Sequence, residues 1–107
     1  MELSQYVVIF ITASSDEEAQ RIGRALVEEK LVACSNITSS IRSFYWWKGE
    51  ICDETEVLLI AKSTQDHLEE IVKTVKELHS YEVPEIIALP ILGGSKDYLN
   101  WIEEETK

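Results

Sequence analysis

The chain has 107 residues, 45% of them hydrophobic, which supplies one compact core and leaves nothing for a second, so a single domain over 1–107 is expected. Ten Lys and Arg stand against twenty Asp and Glu, and the net charge of −10 disfavours a phosphate backbone or an anionic membrane as partner and favours cations and basic protein segments. No stretch approaches the ~20 apolar residues of a membrane span, and the N-terminus lacks a signal-like pattern, which predicts a cytoplasmic protein.

The first apolar run, Tyr6 to Thr12, is rich in β-branched and aromatic residues and reads as a buried central strand. It stops at Ala13-Ser14-Ser15. Ser15 with Glu18 three residues on fits a capping box, opening a helix that continues to about Lys30 with Ala19, Ile22 and Leu26 as its inward stripe. Gly23 beside that stripe permits close packing on a sheet. Leu31 to Trp47 is strand-like, Lys48-Gly49 is a tight turn, and Glu50 to Lys62 returns as a third strand. Cys34 and Cys52 on this hairpin are too few for a zinc knuckle or an iron–sulfur cluster and are expected to be small buried apolar residues.

The hairpin is about twice as long as the Tyr6 strand, so the rest of one small sheet cannot cover its outer part. Its tip carries Phe44, Tyr45, Trp46 and Trp47, and such an apolar edge calls for a second chain. The acidic residues Glu50, Asp53, Glu54 and Glu56 read as a solvated edge. Ser63-Thr64 opens a second helix through about His79, with Leu68, Ile71, Val72, Val75 and Leu78 as its apolar stripe and His67 a solvated residue near its start. Pro84 ends that segment, Glu85 to Pro90 forms a fourth strand, and Ser95 caps a terminal helix containing Tyr98, Leu99, Trp101 and Ile102. The order β-α-β-β-α-β plus a C-terminal helix is the ferredoxin-like α+β arrangement, an antiparallel sheet with two helices on one face.

Two groups of side chains invite a chemical reading. His79, Glu82 and Glu85 lie close in sequence across a turn, and imidazole with carboxylate suits copper or another divalent cation, His79 and Glu82 being the candidate ligands. Imidazole at a helix C-terminus also interacts well with the helix dipole, without any metal. Tyr45 and Trp47 share one face of their strand, and with Lys62, Tyr81 and Glu85 they can wall a small-molecule pocket between subunits. The bland reading of the same aromatics is an interface plug. No nucleophile motif is present, and the Thr12 to Asp16 loop lacks the Arg that acylphosphatase chemistry on this architecture requires, so no enzyme and no catalytic residue is expected.

The segments Glu29-Lys-Leu-Val-Ala-Cys-Ser-Asn36, Phe44-Tyr-Trp-Trp-Lys-Gly-Glu-Ile51, Leu78-His-Ser-Tyr-Glu-Val-Pro-Glu-Ile86 and Asp97-Tyr-Leu-Asn-Trp101 occur in that order. Together they make the chain resemble the CutA divalent-cation tolerance family from about Val7 to Thr106. The resemblance implies a homotrimer built through the long hairpin, similar to PII-type signalling trimers, and a role in tolerance of copper and other divalent cations. It also implies a copper site like that of some members, formed by a cysteine at the end of the first strand and two adjacent histidines after the second helix. Here Ile11 holds the first position and the pair reads Leu78-His79, so His79 alone matches. The alternative within this resemblance is a PII-like sensor that binds a small anionic metabolite or nucleotide in the clefts between subunits.

Overall fold

The computed structural model describes residues 5–107. The elements are β1 (Tyr6–Ala13), α1 (Asp16–Glu28), β2 (Cys34–Trp47), β3 (Glu50–Thr64), α2 (Leu68–Leu78), β4 (Ile86–Pro90) and α3 (Lys96–Glu105). One antiparallel sheet runs in the order β2-β3-β1-β4, the ferredoxin-like α+β arrangement expected from the element order.

Alternation along the strands sorts the core. Val7, Ile9, Ile11 and Ala13 of β1 and Val57, Leu59 and Ala61 of β3 face the helix layer and meet Ala19, Ile22 and Leu26 of α1 and Ile71 and Val75 of α2. Gly23 sits where α1 crosses β2 and β3: an added Cβ would lie 3.0 Å from Leu59 Cδ1 and 3.2 Å from Ser35 Cβ. That approach lets the Ser35 hydroxyl donate to the Gly23 carbonyl at 3.1 Å. On the opposite face α3 covers one end of the sheet, with Ile102 fully buried and the Tyr6 hydroxyl donating to Glu103 at 3.0 Å.

Several boundaries differ from the sequence reading. Helix α1 ends at Glu28 because Lys30 adopts φ 60°, and the Leu31 amide reaches back to the Leu26 carbonyl at 3.0 Å, closing a left-handed cap. Leu31 and Val32 then tuck into the core as loop residues, and the strand starts at Cys34. Ser63-Thr64 does lead into the helical segment, Thr64 being the N-cap of the 3-10 turn before α2, although with no side-chain cap bond. Both residues belong to β3, where pairing with β1 continues to Tyr6↔Thr64. A short 3-10 turn over Gln65–His67 precedes α2, and His67 is half-buried rather than solvated, its Nε2 2.7 Å from the Thr106 carbonyl. Ser95 occupies the N-cap of α3 with no side-chain cap bond.

Among the described residues the outer hairpin has no third strand. β1 stops at Ala13↔Val57, while β2 and β3 stay paired out to Trp47↔Glu50, so Glu50–Glu56 and their partners form an arm of two strands, about 23 Å long at ~3.3 Å per residue. The register shifts between Ile37 and Ser40, where the arm leaves the body, and the Thr38 hydroxyl accepts the Leu58 amide there at 3.4 Å. The tip is the expected tight turn, with positive φ at both Lys48 and Gly49. The arm elongates the molecule to 45 × 25 × 24 Å.

Replacing Gly23 with valine forces Cβ and two methyl groups into the Leu59 and Ser35 contact. Thermal denaturation of Gly23→Val is expected to show a loss of about 1–3 kcal/mol, the usual cost of overpacking.

Candidate functional site

Two polar centres flank the point where the arm leaves the body. The first begins as a helix cap. The Glu18 amide bonds the Ser15 hydroxyl at 3.1 Å, as the capping box requires, but the Glu18 carboxylate does not return to Ser15. Its Oε1 accepts from the Ser14 amide at 2.8 Å and the Ser14 hydroxyl at 2.9 Å, and its Oε2 accepts from the Ser80 amide at 2.7 Å. One carboxylate thus ties the β1–α1 turn to the α2–β4 turn. Burial alone would push the Glu18 carboxyl up; the amides and hydroxyls of Ser14 and Ser80 outweigh it and hold its pKa down at about 2.

His79 completes this tie. Its side chain is fully buried, with Nε2 2.7 Å from the Thr12 carbonyl and Nδ1 accepting the Tyr81 amide at 3.0 Å. That pattern defines a neutral imidazole with the proton on Nε2, donated to Thr12. Glu18 Oε1 stands 3.9 Å from Nδ1. As a metal ligand His79 fits poorly, because either nitrogen must first give up a bond that holds the turn. Its other expected partner, Glu82, is exposed, and among the described residues no group of three or more His, Cys, Asp or Glu side chains is placed to hold a metal ion.

The second centre lies on the sheet face opposite α1 and α2. The Tyr81 hydroxyl donates to Glu56 Oε2 at 2.7 Å, and the Tyr81 ring tilts against the His79 ring with centroids 4.8 Å apart. Glu56 was expected on a solvated edge; it is 5% exposed. The reason is position: Glu56 is the first β3 residue past the end of β1, where the α2–β4 turn folds over the sheet. Tyr45 is paired with Cys52 on the same face, and burial followed by Cys52, Glu54 and Glu56 raises its pKa. Burial, the Glu56 hydrogen bond and the Glu56 charge raise that of Tyr81.

The expected pocket residues therefore separate within one chain. Tyr45 and Tyr81 approach the same carboxylates, and Trp47 follows Tyr45 on that face with Lys48 Nζ 5.6 Å from its ring centroid. Lys62 is ten β3 residues from Cys52, the partner of Tyr45, about 33 Å away at strand rise. Lys62 Nζ donates instead to Asn36 Oδ1, near Cys34, whose sulfur is 3.6 Å from the Tyr98 hydroxyl. Glu85 is exposed just before β4. Both cysteines are free and half-buried rather than packed as core residues.

Comparison with known proteins agrees with the order of motifs. A family model for the CutA1 divalent ion tolerance protein matches residues 7–105. The chain is 46% identical over 99 residues to the divalent-cation tolerance protein CutA of Thermus thermophilus, covering 92% of this chain and 96% of that one. It is 48% identical over 96 residues to CutA of Archaeoglobus fulgidus, covering 90% and 93%. The solved Thermus thermophilus structure superposes with a TM-score of 0.93 at 45% identity, over 95% of this chain and 99% of that one.

The ionised Glu18 tie sets a pH dependence. Its folded pKa lies below the unfolded value near 4.5, so its contribution is complete above that value and lost as pH falls toward about 2. The side chain is 4% exposed, and the difference corresponds to about 3 kcal/mol. Urea titrations at one protein concentration from pH 5 to 2 are expected to show that loss in the wild type and a markedly flatter profile in Glu18→Gln.

Proposed function

Because the chain belongs to the CutA1 divalent ion tolerance family, we propose that it acts in divalent-cation tolerance as a homotrimer assembled through its arm. The observation that supports assembly is the exposure of Phe44 at 67%, Trp46 at 71% and Ile51 at 65% on a face of the two-strand arm that no element among the described residues covers. Their register places all three on the helix-side face, beyond the reach of α1 and α2. On a lone chain in water they would form an apolar patch on an open edge, an arrangement that invites association. The cytoplasm is the compartment we propose, supported by two free cysteines. Among the described residues no helix is long and apolar enough to cross a membrane.

The copper reading has a structural cost. Ligation through His79 removes the Thr12 or the Tyr81 bond and loosens the turn that Glu18 fastens. Tolerance through the assembled protein, and not through a copper centre of His79 and Glu82, is the reading these bonds support. A second reading is the PII-like sensor with a small molecule in the subunit clefts. It is favoured by Tyr45 and Tyr81, which share one sheet face at the base and middle of the arm.

Sedimentation equilibrium is expected to give about 37 kDa, three times the 12.2 kDa chain, and Phe44→Glu with Trp46→Glu is expected to shift the mass toward a single chain. A trimer unaffected by those changes would remove the arm from the interface. In calorimetry with Cu²⁺, wild type and His79→Ala are expected to give equal heats per chain; heat lost in the variant would restore His79 as a ligand.

A further inference from the structure

The buried carboxylate of Glu56 is the least accounted-for group in the molecule. It is 5% exposed, yet among the described residues no Lys, Arg or His forms an ion pair with it. An ionised carboxylate removed from water without a cation costs several kcal/mol. Tyr81 supplies one hydrogen bond, to Oε2. Oε1 receives none among the described residues, and since no fully buried side-chain oxygen lacks a partner there, Oε1 is not fully buried. One oxygen is held by Tyr81, and the other is left without a donor from this chain among the described residues.

The surroundings select the sign and the chemistry of a ligand. Glu54 adds a second negative charge on the same face, where the Tyr81 hydroxyl is bonded to Glu56 and Tyr45 is paired with Cys52, two residues from Glu54. Aromatic faces attract cations. The arm already pairs its own cations with rings: the Arg42 guanidinium lies 5.2 Å from the Phe44 centroid and Lys48 Nζ lies 5.6 Å from that of Trp47. Tyr45 and Tyr81 have no such internal partner among the described residues. An anionic metabolite or nucleotide meets two carboxylates here and is repelled. A small metal ion would need three or four placed ligands, and among the described residues no such group exists. An ammonium head with an alkyl body needs only one outward carboxylate oxygen and an aromatic wall.

We propose that Glu56, Tyr81 and Tyr45 form a binding site for a small organic ammonium ion, with Glu56 Oε1 accepting from the charged head and the two rings flanking its alkyl body. Tyr81 is the positioning residue, fixing the carboxylate through Oε2 while its own ring is set by His79. The proposal deepens the sensor reading, since it takes Tyr45 and Tyr81 to face a ligand, and it reverses the ligand charge expected from the sequence.

The test is calorimetric titration of the full chain with 1,4-diaminobutane at constant ionic strength, with 1,4-butanediol as the uncharged probe and MgCl₂ as the inorganic one. Saturable binding of the diamine alone is expected, weakened at least tenfold in Glu56→Gln and severalfold in Tyr81→Phe, with Glu104→Gln unchanged. Should Glu56→Gln fail to fold, Tyr81→Phe and Tyr45→Leu carry the comparison. The proposal is overturned by absence of saturable diamine binding, by equal affinity for Mg²⁺, or by diamine affinity indifferent to the substitutions at these residues. A parallel thermal-shift series with ATP separates the two levels: stabilisation by ATP without diamine binding keeps the sensor reading and removes the ammonium site, whereas no shift and no binding removes both.

Discussion

The structure depends on a mismatch of strand lengths. β1 offers eight residues and β3 offers fifteen, so about half of β3 and its partner β2 must stand clear of the body. Where β1 covers them, the strands alternate between a helix-packed face and a partly covered one, and the core closes around Ile9, Ile11 and Leu59. Beyond Ala13↔Val57 the helix-side face loses its cover and Phe44, Trp46 and Ile51 stand against solvent, while on the opposite face the α2–β4 turn still covers Glu56. Burial of side chains of that size is worth about 1.5–3 kcal/mol each, a strong drive toward a partner surface.

The same boundary places the polar centres. Glu56 is the first residue past the end of β1, and the α2–β4 turn folds over that position because Glu18 and His79 pin it to the β1–α1 turn. Ser80 to Glu18 and His79 to Thr12 are the hydrogen bonds that bridge the two turns, and the further bond from the Tyr81 amide leaves no spare nitrogen on His79. A histidine that reads as a ligand by sequence neighbourhood is in this chain a brace, and the Tyr81 ring resting on it is thereby aimed at Glu56.

Much of this was legible in the residues themselves. Periodicity located the core faces, Ser15 with Glu18 located the start of α1, and the excess length of the hairpin over the Tyr6 run predicted the uncovered arm before any coordinates. The misreadings share a cause. Ser63-Thr64 reads as the start of a helix, and Thr64 does sit at the N-cap of the 3-10 turn before α2, but pairing with Tyr6 and Val7 also makes both residues the end of β3. Glu56 looks like one more charge in an acidic run, and only the fold of the turn 25 residues later buries it. Glu18 shows its cap function locally, whereas its bond to Ser80 spans 62 residues and has no local signature. Contacts between distant segments were the part hidden from spacing and composition.

We propose that the arm is an assembly element, covered in the assembled protein. Amide hydrogen exchange of the full chain at micromolar concentration reads it directly, through the amides of residues 40–56. Protection of arm amides is expected to be comparable to that of Ile9 and Leu59 in the core and to fall on dilution. Arm amides that exchange freely at every concentration, beside a protected core, would contradict it.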